Sequence, residues 1–329
     1  MNVLFLTHDE TTPSTRYRVL RLLPHLRDEG IRCEQRALGG GLPGRWGAVR
    51  AARNFDAVVL QKRLLPSLWL SLLRRGSRTL VYDFDDLVGR GRERASRGRS
   101  RRFAAVVRAA DLSIAGNAYL AGEARSHGGK SVSVLPTGLE PADYPLRRHG
   151  ESAVIGWIGG GGNLGYLEAV FPALKIIARA RPDVRLRVVS DRFPEAADVP
   201  VERRPWLAAT EAADLAEMDV GWAPLPDDPW TRGKCGFRIL QYMAAGLPVV
   251  ASPVGVQAEL VEEGRTGTLA RTEEDWVERT LSLLSDPGRR AELGGEGRRK
   301  VERSFASAAL AGELARLLRS ASAAAGGGR

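Results

Sequence analysis

A chain of 329 residues, 43% hydrophobic and 27% charged, is long enough for two domains that each bury a core. Its formal charge of +10 rests mainly on arginine and points to anionic partners, whether nucleic acid, a membrane surface or negatively charged substrates. No apolar run is long enough to span a bilayer, residues 1–7 lack a signal peptide's basic region and cleavage site, and Cys33 and Cys235 form neither a disulfide framework nor a zinc cluster. The expected location is the cytoplasm, with peripheral contact at the inner face of the membrane as a further reading of the basic charge.

Residues 2–7 read as a short apolar strand, followed by a loop over 8–15 and a helix over 17–29. Strands are predicted at 57–61 and 79–83 with a helix over 66–75 between them. A strand at 112–115, a helix over 117–126 and a strand at 131–135 follow. Pro136, Thr137, Gly138, Pro141 and Pro145 interrupt the periodicity over 136–150. The alternation then restarts, with a strand at 154–158, a helix over 164–181 and strands at 185–190, 219–223 and 249–252. Strands alternating with helices predict parallel sheets with crossover connections. The expected fold class is therefore α/β, two facing Rossmann-like domains with a cleft between them, spanning 1–148 and 149–306. A C-terminal helix over 307–319 is expected to pack back on the first domain, and 320–329 reads as a disordered tail.

The run 234–255 carries the strongest chemical signal. Lys234 precedes a short helix opened by Gly236 and closed by Gly246, Leu247 and Pro248, and Arg238 stands in its first turn. A cation there opposes the helix dipole, so a bound anion is the simplest reason for it. Phe237, Leu240 and Ala244 share one face, the expected core face, while Arg238 and Gln241 share another and are expected to point at one ligand.

Gly159, Gly160, Gly161 and Gly162 follow a strand and open a helix that Asn163 is suited to cap, a geometry that brings backbone N–H groups to an anion. Gly160, Gly162 and Gly165 also fit G-x-G-x-x-G, with Asp191 where a ribose-binding acid would stand, so a nicotinamide-dependent oxidoreductase is a rival reading. A loose Walker pattern over 124–131 follows a helix and precedes a strand, the wrong order for a P-loop.

His8 ends the first strand, and Asp83, Asp85 and Asp86 stand at the carboxyl end of another, where open α/β sheets bind ligands. Carboxylates so placed could hold a metal, act as a base or bind sugar hydroxyls; no histidine accompanies them, and no metal is assigned. Residues 90–102 carry seven arginines against Glu93 and no aromatic residue that could stack a base. They read as a solvated flexible loop, or as a contact for an anionic surface, rather than as a nucleic-acid site.

Taken in order, residues 133–139, 155–159, 219–225, 234–255 and 262–267 give the chain a resemblance to the retaining nucleotide-sugar glycosyltransferases of family 4, which have the GT-B fold. The resemblance covers nearly the whole chain. It implies that Lys234 and Arg238 are the catalytic diphosphate-binding cations and that Gly159, Gly160, Gly161, Gly162, Asn163 and Gln241 bind the donor. By their place in the first domain, facing the cleft, His8, Arg16, Arg18, Asp83, Asp85 and Asp86 are expected on the acceptor side. The resemblance implies no metal, and no cofactor beyond a nucleoside diphosphate sugar as co-substrate. The implied acceptor is a hydroxyl-bearing small molecule, glycan or lipid-linked group, and nucleic acid is not an expected partner. The family's two glutamates, separated by seven residues, are replaced here by Gly233 and Gln241, with Asp227 or Asp228 as a substitute for the missing first carboxylate. That loss keeps open a reading from another class, a non-catalytic nucleotide-sugar-binding or scaffold protein of the same fold.

Overall fold

A computed structural model describes residues 1–39, 41–91, 96–195 and 199–326. The chain divides into two units, one formed by residues 1–139, 233–235 and the C-terminal helix, the other by 140–232 and 236–306. Residues 140–148, read from the sequence as the end of the first domain, belong to the second. The reason lies in their bonds: the Arg147 amide donates to the Ala245 carbonyl at 2.8 Å, and the Arg147 guanidinium is paired with buried Asp219 at 3.0 Å.

Among the described residues each unit is built on one six-stranded parallel sheet. The first comprises β1 (Asn2–Thr7), β2 (Arg32–Ala37), β3 (Ala57–Gln61), β4 (Thr79–Phe84), β5 (Leu112–Ala115) and β6 (Val132–Val134), in the order β2-β1-β3-β4-β5-β6. The second comprises β7 (Val154–Ile158), β8 (Arg185–Ser190), β9 (Val201–Pro205), β10 (Val220–Ala223), β11 (Val249–Ala251) and β12 (Gly267–Leu269), in the order β12-β11-β10-β7-β8-β9. Central strands such as β3 and β7 are buried along their whole length and read as continuous apolar runs, as parallel strands covered on both faces do. β2, β9 and β12 carry no such run. β2 and β9 are largely exposed edge strands with sequences Arg-Cys-Glu-Gln-Arg-Ala and Val-Glu-Arg-Arg-Pro, which hydrophobic patterning cannot detect.

Several helices differ from their sequence-based bounds. The helix expected over 17–29 is two pieces, a π-helical turn Arg16–Leu20 and Leu23–Asp28, and a short helix Pro13–Thr15 precedes them within the segment 8–15 expected to be a loop. The Arg21 amide reaches back five residues to the Arg16 carbonyl, and Pro24 has no amide to continue the ladder. The helix expected over 164–181 breaks into Leu164–Glu168 and Phe171–Ala180, because Pro172 fits only the first turn of a new helix. Residues 97–102, read as a flexible loop, form the start of the helix Arg97–Ala109, capped by the Ser96 hydroxyl on the Arg99 amide; Arg92, Glu93 and Arg94 lie outside the described residues.

The C-terminal helix runs over Ser307–Gly326, well past 319. Residues 320–326 were expected to be disordered, but Ala321, Ala323, Ala324 and Ala325 are strong helix formers; residues 327–329 lie outside the described residues. Leu310, Leu314 and Leu318 of this helix bury against Val3, Phe5, Val59 and Leu26 in the core of the first unit. In the second unit Ile155, Trp157, Leu174, Leu186, Val188, Trp222, Val250 and Trp276 form the core, and the Trp222 indole N–H is satisfied by Thr280 at 3.1 Å.

Candidate active site

In the second unit the helix Phe237–Ala244 starts at Gly236, whose φ of +66° is a left-handed conformation that glycine adopts without strain. From Ile239 onward every residue of this helix is buried, so it has no exposed face, and Phe237, read as core, is only half-buried. Tyr242 pins the helix to the sheet. Its hydroxyl accepts the Ile158 amide at 3.0 Å and lies 3.1 Å from the Trp222 carbonyl oxygen, which it donates to; burial pushes its pKa up to about 12.

One turn earlier, Arg238 lies over the Trp157 indole with Cζ 4.5 Å from the ring centroid. Its guanidinium passes so close to the backbone that a Cβ on Gly159 would stand 2.3 Å from a terminal nitrogen. A side chain at this position would displace the guanidinium from where it lies. Among the described residues no carboxylate pairs with Arg238, and its Nε is buried without a hydrogen-bond partner. Burial pulls its pKa below the ordinary arginine value, the direction expected of a desolvated cation without a counter-ion.

The glycine loop differs in detail from the sequence reading. Gly161–Asn163 is a 3-10 turn, and the Asn163 side chain makes no cap bond. The Gly161 amide donates to Asp191 Oδ1 at 2.6 Å, the Gly159 amide to the Val189 carbonyl and the Asn163 amide to the Gly160 carbonyl. That leaves the Gly160 amide without a protein acceptor among the described residues. The bond from Gly161 holds the Asp191 carboxylate below its usual pKa. Asp191 thus closes the loop on which the rival dinucleotide reading depends, an internal task for the residue that reading needs on a ribose.

Arg238 and Gln241 do not point at one place. The Gln241 amide donates to the Tyr144 hydroxyl at 3.4 Å, within a buried cluster where Tyr144 in turn reaches Glu211 at 3.4 Å. Asp227 and Asp228 are also engaged locally: Asp227 pairs with Arg232 at 2.6 Å, and Asp228 caps the short helix Pro229–Arg232 through the Trp230 and Thr231 amides at 2.7 and 2.9 Å. Gly233 and Lys234 belong to the first unit. Their carbonyls accept from the Asn117 amide at 3.3 and 3.0 Å, and Cys235 donates its thiol to the Asp85 carbonyl at 3.2 Å. The charge of Lys234 is felt by Asp86. Asn117 was read only as a helix start; its second role spans more than a hundred residues of chain and has no local signature.

In the first unit Arg18 and Asp83, both read as acceptor-facing, are buried against each other. Arg18 Nε and a terminal nitrogen grip the two Asp83 oxygens at 3.0 and 2.5 Å, while its other nitrogen bonds the Leu135 carbonyl and Thr137 at 3.0 and 3.1 Å. Such a bidentate buried pair uses up both groups. Asp85 and Asp86 are bridged by Lys62, which the sequence reading did not single out. Burial opposes the Lys62 charge, yet the two carboxylates hold its pKa above the ordinary range. Lys62 is also the one non-glycine residue with positive φ, +55°, among the described residues, a strained backbone of the kind found at functional sites. His8 stands 3.1 Å from the Arg63 guanidinium; burial and then Arg63 and Lys62 lower its pKa, so it is neutral at pH 7. Arg16 lies on the π-helical turn with Cζ 5.2 Å from the Tyr17 ring centroid.

Residues 154–286, within the second unit, match the family model for Glycosyl transferases group 1. The chain is 41% identical over 70 residues to D-inositol 3-phosphate glycosyltransferase of Rhodococcus jostii (strain RHA1), a stretch that covers 20% of this chain and 15% of that one. It is 39% identical over 66 residues to Spore coat protein SA of Bacillus subtilis (strain 168), covering 19% and 18%. It thus spans less than a fifth of the length of these curated relatives. Among solved structures, HepE of Anabaena in complex with UDP and glucose superposes with a TM-score of 0.74 at 18% identity, covering 97% of this chain and 100% of that one. Sucrose-phosphate synthase of Thermosynechococcus elongatus gives 0.77 at 16%, covering 98% and 100%. These likenesses show the GT-B fold.

Proposed function

We propose that this protein moves a sugar from a nucleoside diphosphate donor to a hydroxyl acceptor, without a metal and with retention of anomeric configuration, as in family 4. The observation that carries the reading is Arg238: a half-buried side chain whose guanidinium lies on an indole face against the glycine loop, with its Nε buried and unpartnered and no carboxylate partner among the described residues. A buried cation without a partner is costly unless an anion arrives, and the diphosphate of a nucleotide sugar is such an anion. The match of this unit to group 1 glycosyltransferases and the UDP bound to HepE support that choice of ligand.

In the reaction the bond between the anomeric carbon and the β-phosphate oxygen breaks, and its electron pair stays on the diphosphate. The acceptor oxygen bonds to the anomeric carbon from the same side and gives its proton to the leaving phosphate. Arg238, preorganised and desolvated, stabilises the charge that develops on that phosphate. The Gly160 amide adds a donor, and Gln241 supports the nucleotide side from its bond with Tyr144.

We assign the acceptor to the first unit, with His8, Arg16, Asp85 and Asp86 as its polar groups and Arg18 with Asp83 as the buried pair that positions them. Lys234 remains the other cation of the 234–255 run. Peripheral membrane contact is supported by exposed Leu42, Trp46 and Leu68 on two basic helices, Leu42–Ala52 and Ser67–Gly76. No helix among the described residues is long and apolar enough to cross a membrane.

Mixing the protein with a panel of nucleoside diphosphate sugars and hydroxyl acceptors, and measuring release of nucleoside diphosphate, tests the reading. Acceptor-dependent release from one donor is expected. Binding of a donor without any release across the panel would instead support the non-catalytic scaffold.

A further inference from the structure

The first unit contains a cavity of about 420 Å³ that the donor chemistry does not use. Its floor is aromatic: Phe84 and Phe103 are buried and meet edge to face at 5.3 Å, with Leu87 and Val88 beside them. Its rim is cationic, formed by Arg90, which follows β4, and by Arg97 and Arg101 of the helix Arg97–Ala109. Among the described residues none of these three arginines has a carboxylate partner, although the chain pairs many of its other arginines. Among the described residues two acids, Asp86 and Glu123, also line the cavity. Asp86 is held by Lys62, which leaves Glu123 as one acid against three cations.

The charge arrangement is unfavourable for folding by itself. The first turn of this helix contains no acidic residue and carries Arg97, so cations crowd the positive end of the dipole. An anion at the rim would relieve this, and an apolar body on the Phe84–Phe103 floor would fill the space beneath, at a volume typical of small-molecule pockets.

We propose that this cavity binds a small organic phosphate, its phosphate held by Arg90, Arg97 and Arg101 and its apolar body stacked on Phe84 and Phe103. The cavity shares Asp86 with the acceptor groups assigned above, but the inference is read by binding alone, without transfer. Its failure therefore leaves the glycosyl-transfer reading untouched, and the converse holds.

1-Naphthyl phosphate, 1-naphthol and inorganic phosphate serve as probes in calorimetric titrations of the full chain. The aryl phosphate should bind at least tenfold more tightly than either fragment, and its affinity should fall as salt rises, because exposed cations are screened. Replacing Arg90, Arg97 and Arg101 together by Ala should weaken it by ten- to a hundredfold, with the circular dichroism spectrum unchanged because all three side chains are exposed. Ser100→Trp, which fills the cavity from the same helix, should weaken the aryl phosphate but leave the weak inorganic phosphate signal. Equal binding by the triple variant, or no effect of Ser100→Trp, would overturn the proposal.

Discussion

Arg238 shows how far a single residue can be read from sequence. Its type and its place in the first turn of a helix were enough to call for an anion. The indole beneath it and the glycine beside it come from β7 and the following loop, about eighty positions earlier, and only the fold joins them. Gln241 marks the limit of helical spacing: residues three apart share a face, but a helix packed on all sides offers a different neighbour at each position, and here that neighbour is Tyr144.

Two predictions belong to this scale. Arg238→Ala should lower turnover by about ten- to a thousandfold, the range for removing a donor to developing charge, with the melting temperature nearly unchanged. Steady-state kinetics beside a thermal melt check it, and Lys234→Ala tests the other cation in the same way. His149 offers a pH test. Its Nε2 lies 2.9 Å from the Gly246 carbonyl oxygen, and burial, followed by Arg290 and Arg147, lowers its pKa. The native state therefore binds fewer protons than the unfolded one. Stability contributed by His149 is present above its unfolded value of about 6.5 and is lost as pH falls through the lower folded value. Chemical denaturation from pH 7.5 to 5 should show this slope, and His149→Gln should flatten it.

Among the elements, the helix Phe237–Ala244 is held from both sides. The sheet lies on one side through Tyr242, and the helix Pro287–Ser304 packs on the other. That second contact depends on Gly294, where a Cβ would stand 1.9 Å from the Gly246 carbonyl oxygen. Gly294→Ala should therefore destabilise the protein by about 1–3 kcal/mol, the cost of overpacking, and lower the melting temperature by several degrees. An unchanged melting curve would mean that the two helices can separate freely.

Elements of this buried kind were legible because burial on both faces leaves continuous apolar runs, as in β3, β7 and β11. The polar edge strands β2 and β9 left no such trace. Residues 97–102 were misread for a related reason. A dense run of arginines resembles a solvated loop, whereas the Ser96 cap and the apolar positions Phe103, Ala104, Val106 and Val107 start a helix inside it.

At the scale of the whole chain, strand–helix alternation was sufficient for two α/β units, and the TM-scores of full-length GT-B structures agree with it. The division itself was less legible. Residues 140–148 and the short excursion at 233–235 are assigned by long-range bonds from Arg147 and Asn117 that no local pattern announces. If cations do the work of a metal, turnover should persist in excess EDTA. Activity lost in EDTA and restored by magnesium or manganese would count against the proposed chemistry and turn attention to Asp85 and Asp86.

The most direct measurement is a calorimetric titration of the intact protein with UDP, GDP, ADP and dTDP in EDTA, repeated with Arg238→Ala. One nucleoside diphosphate should bind the native protein at micromolar concentration, and the variant should bind it at least tenfold more weakly while remaining folded. Equal affinity in the two proteins, or no binding by any of the four, would contradict the assignment of Arg238 to the diphosphate.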